Sequence, residues 1–259
     1  MMKKLLLFVV SVYAFNIHAQ QNYFPDADWQ TKKPADLKMN KAWLDSAVSF
    51  ALKNENKVER DLRIANMKSY SREPGYKIIG PMKERGGPAG LIIKNGYIVA
   101  QWGDVSRVDM TFSVTKSYLS TVAGLAIDNG LIKSVNDKVG QSVWGDFFEG
   151  PHNSKITWDH LLTQSSDWSG NLFGLDDWAD RPPRDGTIDD WKNRKLLEPG
   201  TNYEYNDVRV NLLAYSLLQV WRKPLPVVFK EKIMDPIGAS STWRWFGYEN
   251  SYVTMDGYT

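Results

Sequence analysis

A chain of 259 residues, 42% hydrophobic and 24% charged, can bury a sizeable core in one or two domains and has the composition of a soluble globular protein. Its 32 basic and 30 acidic side chains give no charge excess that would point to nucleic acid or an anionic membrane surface. It has no cysteine, which excludes a disulfide framework and a cysteine-linked lipid anchor.

Residues 1–19 read as a secretory signal. Lys3 and Lys4 are its basic start, residues 5–15 its apolar centre, and Ala19 a small residue at the cleavage site. The apolar centre is too short to span a bilayer, and no later stretch is long and apolar enough to do so. Without these residues, which hold two lysines and no acid, the chain carries 30 basic and 30 acidic groups. A cysteine-free exported chain fits the periplasm or the cell exterior.

Residues 20–36 form a polar leader arm. Asn40 is placed to cap a helix whose apolar face is Trp43, Leu44, Ala47, Val48 and Ala51, and which closes in the charged stretch 53–60. Residues 73–90 hold three prolines and five glycines and read as loop. Residues 90–102 are the clearest β signal. Leu91-Ile92-Ile93 and Tyr97-Ile98-Val99 flank Asn95-Gly96, the pair preferred in a type I′ hairpin. A helix then runs from Ser113 to a stop at Asn129-Gly130, burying Leu119, Val122, Ala123, Ala126 and Ile127. Thr157 caps the next helix. Residues 165–187 make a long irregular loop, and Trp168, Phe173 and Trp178 within it favour packing over disorder. Helices over 208–221 and 225–234 follow, the second ended by Asp235-Pro236-Ile237-Gly238. There are no internal repeats or low-complexity runs.

The chemistry concentrates in Ser113-Val114-Thr115-Lys116. Three apart, Ser113 and Lys116 share one helix face. A serine hydroxyl is a weak nucleophile until something takes its proton, and a lysine whose pKa is lowered by desolvation can do so. On its own the pair reads equally as a helix-start serine with a solvated lysine.

The surroundings go further. Ser113-Val-Thr-Lys116 behind a hairpin, then Ile156-Thr157-x-x-His160-Leu161-Leu162, then Pro199-Gly200-Thr201-x-x-x-Tyr205 resemble the class C β-lactamase-related serine hydrolases. That group includes β-lactamases, D-alanyl-D-alanine carboxypeptidases, esterases and 6-aminohexanoate-dimer hydrolases. The stretches 167–170 and 178–181 look most like the last branch. The resemblance implies an α+β, β-lactamase/transpeptidase-like fold over residues 20–259, with a helical domain packed on an antiparallel sheet and the site between them. It implies Ser113 as acylated nucleophile, Lys116 and Tyr205 as proton-transfer groups, and Asp207 and Trp168 on the substrate side. A phenol beside an ammonium is pushed toward phenolate and can relay protons to a leaving group.

The sequence departs from the family pattern twice. The Tyr-x-Asn box ends here in Asp207, which when ionised accepts hydrogen bonds and cannot donate one. Asp207 is then expected to pair with Lys116, or to cap the following helix. The family's third box, Lys- or His-x-Gly on a late strand, is absent, so the resemblance also implies that the last strands of the sheet are missing from the sequence.

The expected function is acyl transfer to water from a small amide, ester or short peptide, without cofactor or metal. The rivals are a true β-lactamase or carboxypeptidase and a catalytically silent binding module. His152 and His160 lack metal-ligand spacing, and Asp176, Asp177 and Asp180 read as an acidic loop surface. Oligomeric state is not legible.

Overall fold

The computed structural model describes residues 23–246 except 72, 74–77, 79–81 and 183–184. The expected signal segment lies outside the described residues. Among those described, no helix is long and apolar enough to cross a membrane.

The leader arm is not free. Tyr23 stacks on Tyr97 with ring centroids 4.4 Å apart, and Thr31 forms a parallel bridge to Ile98. α1 (Lys41–Lys53) starts where the sequence indicates, with the Asn40 side chain accepting from the backbone N–H of Ala42 and Trp43. Its expected apolar face is corrected. Leu44 is the residue it buries, whereas Trp43 is 79% exposed. α2 (Leu62–Tyr70), capped by Asp61, is an addition to the elements read from sequence: its apolar residues make no buried stripe, and Leu62 is the one it buries.

β1 (Gly90–Lys94) and β2 (Tyr97–Trp102) form the expected hairpin. Asn95 and Gly96 have φ of 51° and 83°, the left-handed pair that a type I′ turn requires. A Cβ on Gly96 would lie 2.2 Å from the Tyr23 carbonyl, so the docked arm also needs the glycine.

α3 (Thr115–Asp128) is the central helix, and its buried stripe is Leu119, Val122, Ala123 and Ala126, with Ile127 partly covered. After α4 (Gly150–Asn153), α5 (Trp158–Leu162) is held by a reciprocal cap. Thr157 Oγ1 accepts from the His160 N–H, and His160 Nδ1 accepts from the Thr157 N–H. The long loop contains a small hairpin, β3 (Asn171–Leu172) with β4 (Leu175–Asp176). α6 (Ile188–Lys192), α7 (Asp207–Trp221) and α8 (Leu225–Phe229) complete the elements, and a π-turn over Lys230–Met234 extends α8. The fold is α+β.

The core lies between α3, α5, α7 and α8. Val122, Ala126, Leu212, Leu217, Val228, Ile156 and Trp158 belong to one buried cluster there. Each fully buried aliphatic contributes roughly 1.5–3 kcal/mol. That packing fixes the starts of α3 and α7 relative to one another, and both starts carry site residues.

Candidate active site

Ser113 sits within a 3-10 turn, Phe112–Val114, that leads directly into α3. The sequence places the helix start at Ser113, but the α-helix begins two residues later and the serine side chain caps nothing. Phe112 has φ of 47°, a left-handed conformation that costs a non-glycine residue about 1–3 kcal/mol. The turn leaves the Ser113 hydroxyl on the open side of the helix start.

Two groups meet that hydroxyl. Lys116, one turn along, donates from Nζ to Ser113 Oγ at 3.3 Å. Tyr205 brings its hydroxyl to 2.6 Å from the same oxygen. Tyr205 reaches across because the second and third motifs interlock. Gly200 has φ of 89°, and a Cβ there would lie 2.9 Å from His160 Nε2. The backbone N–H of Gly200 donates to the Ser165 carbonyl and that of Glu204 to the Gln164 carbonyl. The Gln164 side chain accepts from the Asn206 N–H at 2.8 Å. The cap of α5 thus supports the segment that presents Tyr205.

Asp207 pairs with Lys116 as expected, at 2.7 Å. It does not cap α7. Asn206 does, accepting from the Arg209 N–H. Asp207 is the first helical residue, and its second oxygen accepts from Arg181 at 2.8 Å. Arg181 also grips Asp180 at 2.8 Å, and its guanidinium lies 4.5 Å from the Tyr205 ring centre. The Asp180 carboxylate accepts from the Asp207 N–H. Arg181 was missed at the level of sequence. It has left-handed backbone in an irregular loop, and no periodicity points it at Tyr205.

The electrostatics correct one expectation. Burial disfavours the charged form of Lys116, but its hydrogen bonds to Asp207 and Tyr205 outweigh that, and its pKa is raised, not lowered. Burial also opposes the Asp207 charge, yet Lys116 and Arg181 hold its carboxyl below the ordinary value. Burial pushes Asp180 upward. Glu73, on the far side of Arg181, is raised by burial and then by the Asp180 charge.

Trp168, expected on the substrate side, is a core residue. It is 1% exposed, and its indole N–H donates to the Phe147 carbonyl at 2.6 Å. The burial that gives a large aromatic its packing energy leaves it no face for a ligand. The acidic loop is also corrected. Asp177 is buried, with Arg209 at 3.1 Å and Arg194 at 3.3 Å. Asp167 lies beside it, 3.0 Å from Arg209 and 2.7 Å from Arg194. Among the described residues, no group of three or more His, Cys, Asp or Glu is placed to hold a metal ion.

A serine, a lysine and a tyrosine thus converge at the start of a central helix, as the resemblance of the motifs implies. The family model Beta-lactamase matches residues 79–249, well over half of the chain, and the chain belongs to that family. Among solved structures it is similar to EstCE1, a hydrolase with promiscuous acyltransferase activity. The identity is 19% and the TM-score 0.39, over 58% of this chain and 46% of that one, so the match spans under half of EstCE1. No curated protein matches the chain.

Proposed function

We propose that the protein is a serine hydrolase that works through an acyl-enzyme on a small amide, ester or short peptide. One observation carries this reading: Ser113 Oγ is held between Tyr205 Oη at 2.6 Å and Lys116 Nζ at 3.3 Å. Family membership supports it. Ser113 is the nucleophile. Its oxygen bonds to the acyl carbon, and the bond to the leaving amine or alcohol breaks. Lys116 is held as an ammonium by Asp207, so it positions and donates. The Tyr205 oxygen, once its own proton has passed to solvent water, is the acceptor within reach. It takes the Ser113 proton and returns it to the leaving group. Water then repeats the sequence in reverse, releasing the acid and restoring the serine.

The finer assignment to the 6-aminohexanoate-dimer hydrolase branch rests on stretches 167–170 and 178–181. Burial of Asp167 and Trp168 makes the first of these a likeness of scaffold, not of substrate contact. Asp207, which accepts and cannot donate to an amide carbonyl, weighs against penicillin or cephalosporin turnover. The clamp on Lys116 favours one second reading, a catalytically silent binding module. The basic start and short apolar centre of residues 3–15 support export to the periplasm or the exterior.

A fluorophosphonate probe decides between hydrolase and silent module. We expect labelling of the wild-type protein at Ser113, confirmed by peptide mass, and none of Ser113→Ala. A native protein that the probe leaves untouched would remove the hydrolase reading.

A further inference from the structure

Asp207 presents a difficulty to the chemistry just described. An ionised carboxylate 2.7 Å from Lys116 stabilises the ammonium and resists loss of the proton that the Ser113, Lys116 and Tyr205 set must shed to become reactive. That carboxylate is not left to Lys116 alone. Its two oxygens are divided, Oδ1 to Lys116 and Oδ2 to Arg181, each within 2.8 Å. Arg181 comes from the loop after β4, and like Lys116 it lies within 5 Å of the Tyr205 ring centre. It is held there by Asp180, which itself accepts from the Asp207 backbone.

We propose that Arg181 is a positioning residue: by taking the second oxygen of Asp207 it offsets part of the negative charge that faces Lys116, and lets the site shed its proton at a lower pH than Asp207 alone would allow. The inference rests on the hydrolase reading of Ser113. Its physical basis is that a paired carboxylate and guanidinium act on a neighbour as a dipole, not as a net charge. The attraction at Lys116 is then reduced in part, because the guanidinium lies on the far oxygen and acts from a greater distance.

Among the described residues, the groups that face Lys116 are few. Tyr205 and Asp207 meet it from the segment entering α7, and Ser113 from its own turn. Arg181 and Asp180 stand behind Asp207, and Glu73, next to Arg181, is raised by burial and by the Asp180 charge. Arg85 lies on the other side of Phe112, 5.9 Å from its ring centre. Arg181 is the cation in direct contact with the partner of Lys116 among these.

The test compares Arg181→Gln, Asp207→Asn, the double variant and Arg181→Lys in the full chain. Titration of Lys116 is followed by NMR at its side-chain Cε, and the pH dependence of fluorophosphonate labelling is measured alongside. Arg181→Gln is expected to raise the Lys116 midpoint and move the alkaline limb of labelling upward by about one pH unit, roughly tenfold in rate at a fixed pH on the limb. Asp207→Asn is expected to move both downward by about 1–3 units. The double variant, which removes both charges together, recovers the limb lost in Arg181→Gln. Arg181→Lys keeps the charge and leaves the limb close to wild type, and serves if the glutamine variant fails to fold. The proposal is overturned if Arg181→Gln leaves the midpoint unmoved, if it shifts it downward, or if the lysine variant shifts as the glutamine variant does. The Lys116 titration is read without turnover, so it judges the clamp separately from the nucleophile. Absence of labelling in every form, wild type included, would overturn the hydrolase reading and this proposal with it.

Discussion

Two rows of alternating charge lie on either side of one loop. On its inner side, Asp167 and Asp177 meet Arg194 and Arg209, and three of the four side chains are under 7% exposed. On its outer side, Lys116, Asp207 and Arg181 are 25%, 41% and 33% exposed. The chemistry is the same and the setting is not. Asp167 also accepts from the Leu197 N–H, so the inner acids have little capacity left; they and Arg209 are closed to solvent, while Arg194 stays 29% exposed. Such a row can hold a loop in place but cannot exchange protons usefully. The outer row is covered enough to fix geometry and open enough for a substrate to reach the hydroxyl beside it. Burial decides which set of charges is structure and which is machinery.

The strongest way to break the comparison is to strand the inner acids. Arg209→Ala leaves Asp167 and Asp177 buried with one partner fewer and should destabilise the protein by roughly 3–5 kcal/mol, measured by urea unfolding. A loss below 1 kcal/mol would show that the inner row is not what holds the loop. On the outer side, Lys116→Ala and Tyr205→Phe should each slow ester hydrolysis about 100-fold or more while leaving the urea midpoint nearly unchanged. Full activity in Tyr205→Phe would break the outer row's claim to chemistry.

A smaller effect sharpens the contrast through pH. Asp167 is buried, yet its arginine partners and the Leu197 N–H hold its carboxyl below the ordinary value. Its contribution to stability is therefore complete above the unfolded carboxylate range and is lost as pH falls through the lower folded value. Stability should be level from pH 7 to about 5 and fall below about 4. Asp167→Asn should flatten that fall; an unchanged acid limb would assign it to other carboxylates. The smallest expected effect is at the support of Tyr205. Thr157→Ala removes one half of the α5 cap and should cost about 1 kcal/mol. Because His160 sits beneath Gly200, a lowered hydrolysis rate should accompany it. Undiminished turnover would show that the cap supports the helix and not the site.

Local signals carried much of this protein. Asn40 and Thr157 cap where their side chains indicate, since a cap depends on a few consecutive residues and no others. The Asn95-Gly96 hairpin formed for the same reason. The α3 stripe followed from helical period. Ser113, Lys116, Tyr205 and Asp207 were all placed by motif, and the structure brings the four together.

What the sequence could not determine is which side of each element faces inward when several neighbours compete. Trp43 sits on a helical face that looked apolar but is left open, because Leu44 meets what core there is. Trp168 looked like a loop aromatic near a substrate and is packed beneath α7. Asp177 looked like surface and is buried, because arginines 17 and 32 positions away arrive to meet it. The sign of the Lys116 shift turned on the same fact. Desolvation was legible in its position on a packed helix, but the carboxylate and phenol that outweigh it come from about ninety residues further along the chain. By itself, then, the sequence determined the caps, the hairpin, the central helix and the residues that meet at the candidate site, all of which are set by nearest neighbours or by motif. Tertiary structure alone decided burial, the division of the acids into two rows, and the arrival of Arg181 at Asp207, because each depends on charges and surfaces that meet only when distant segments close on one another.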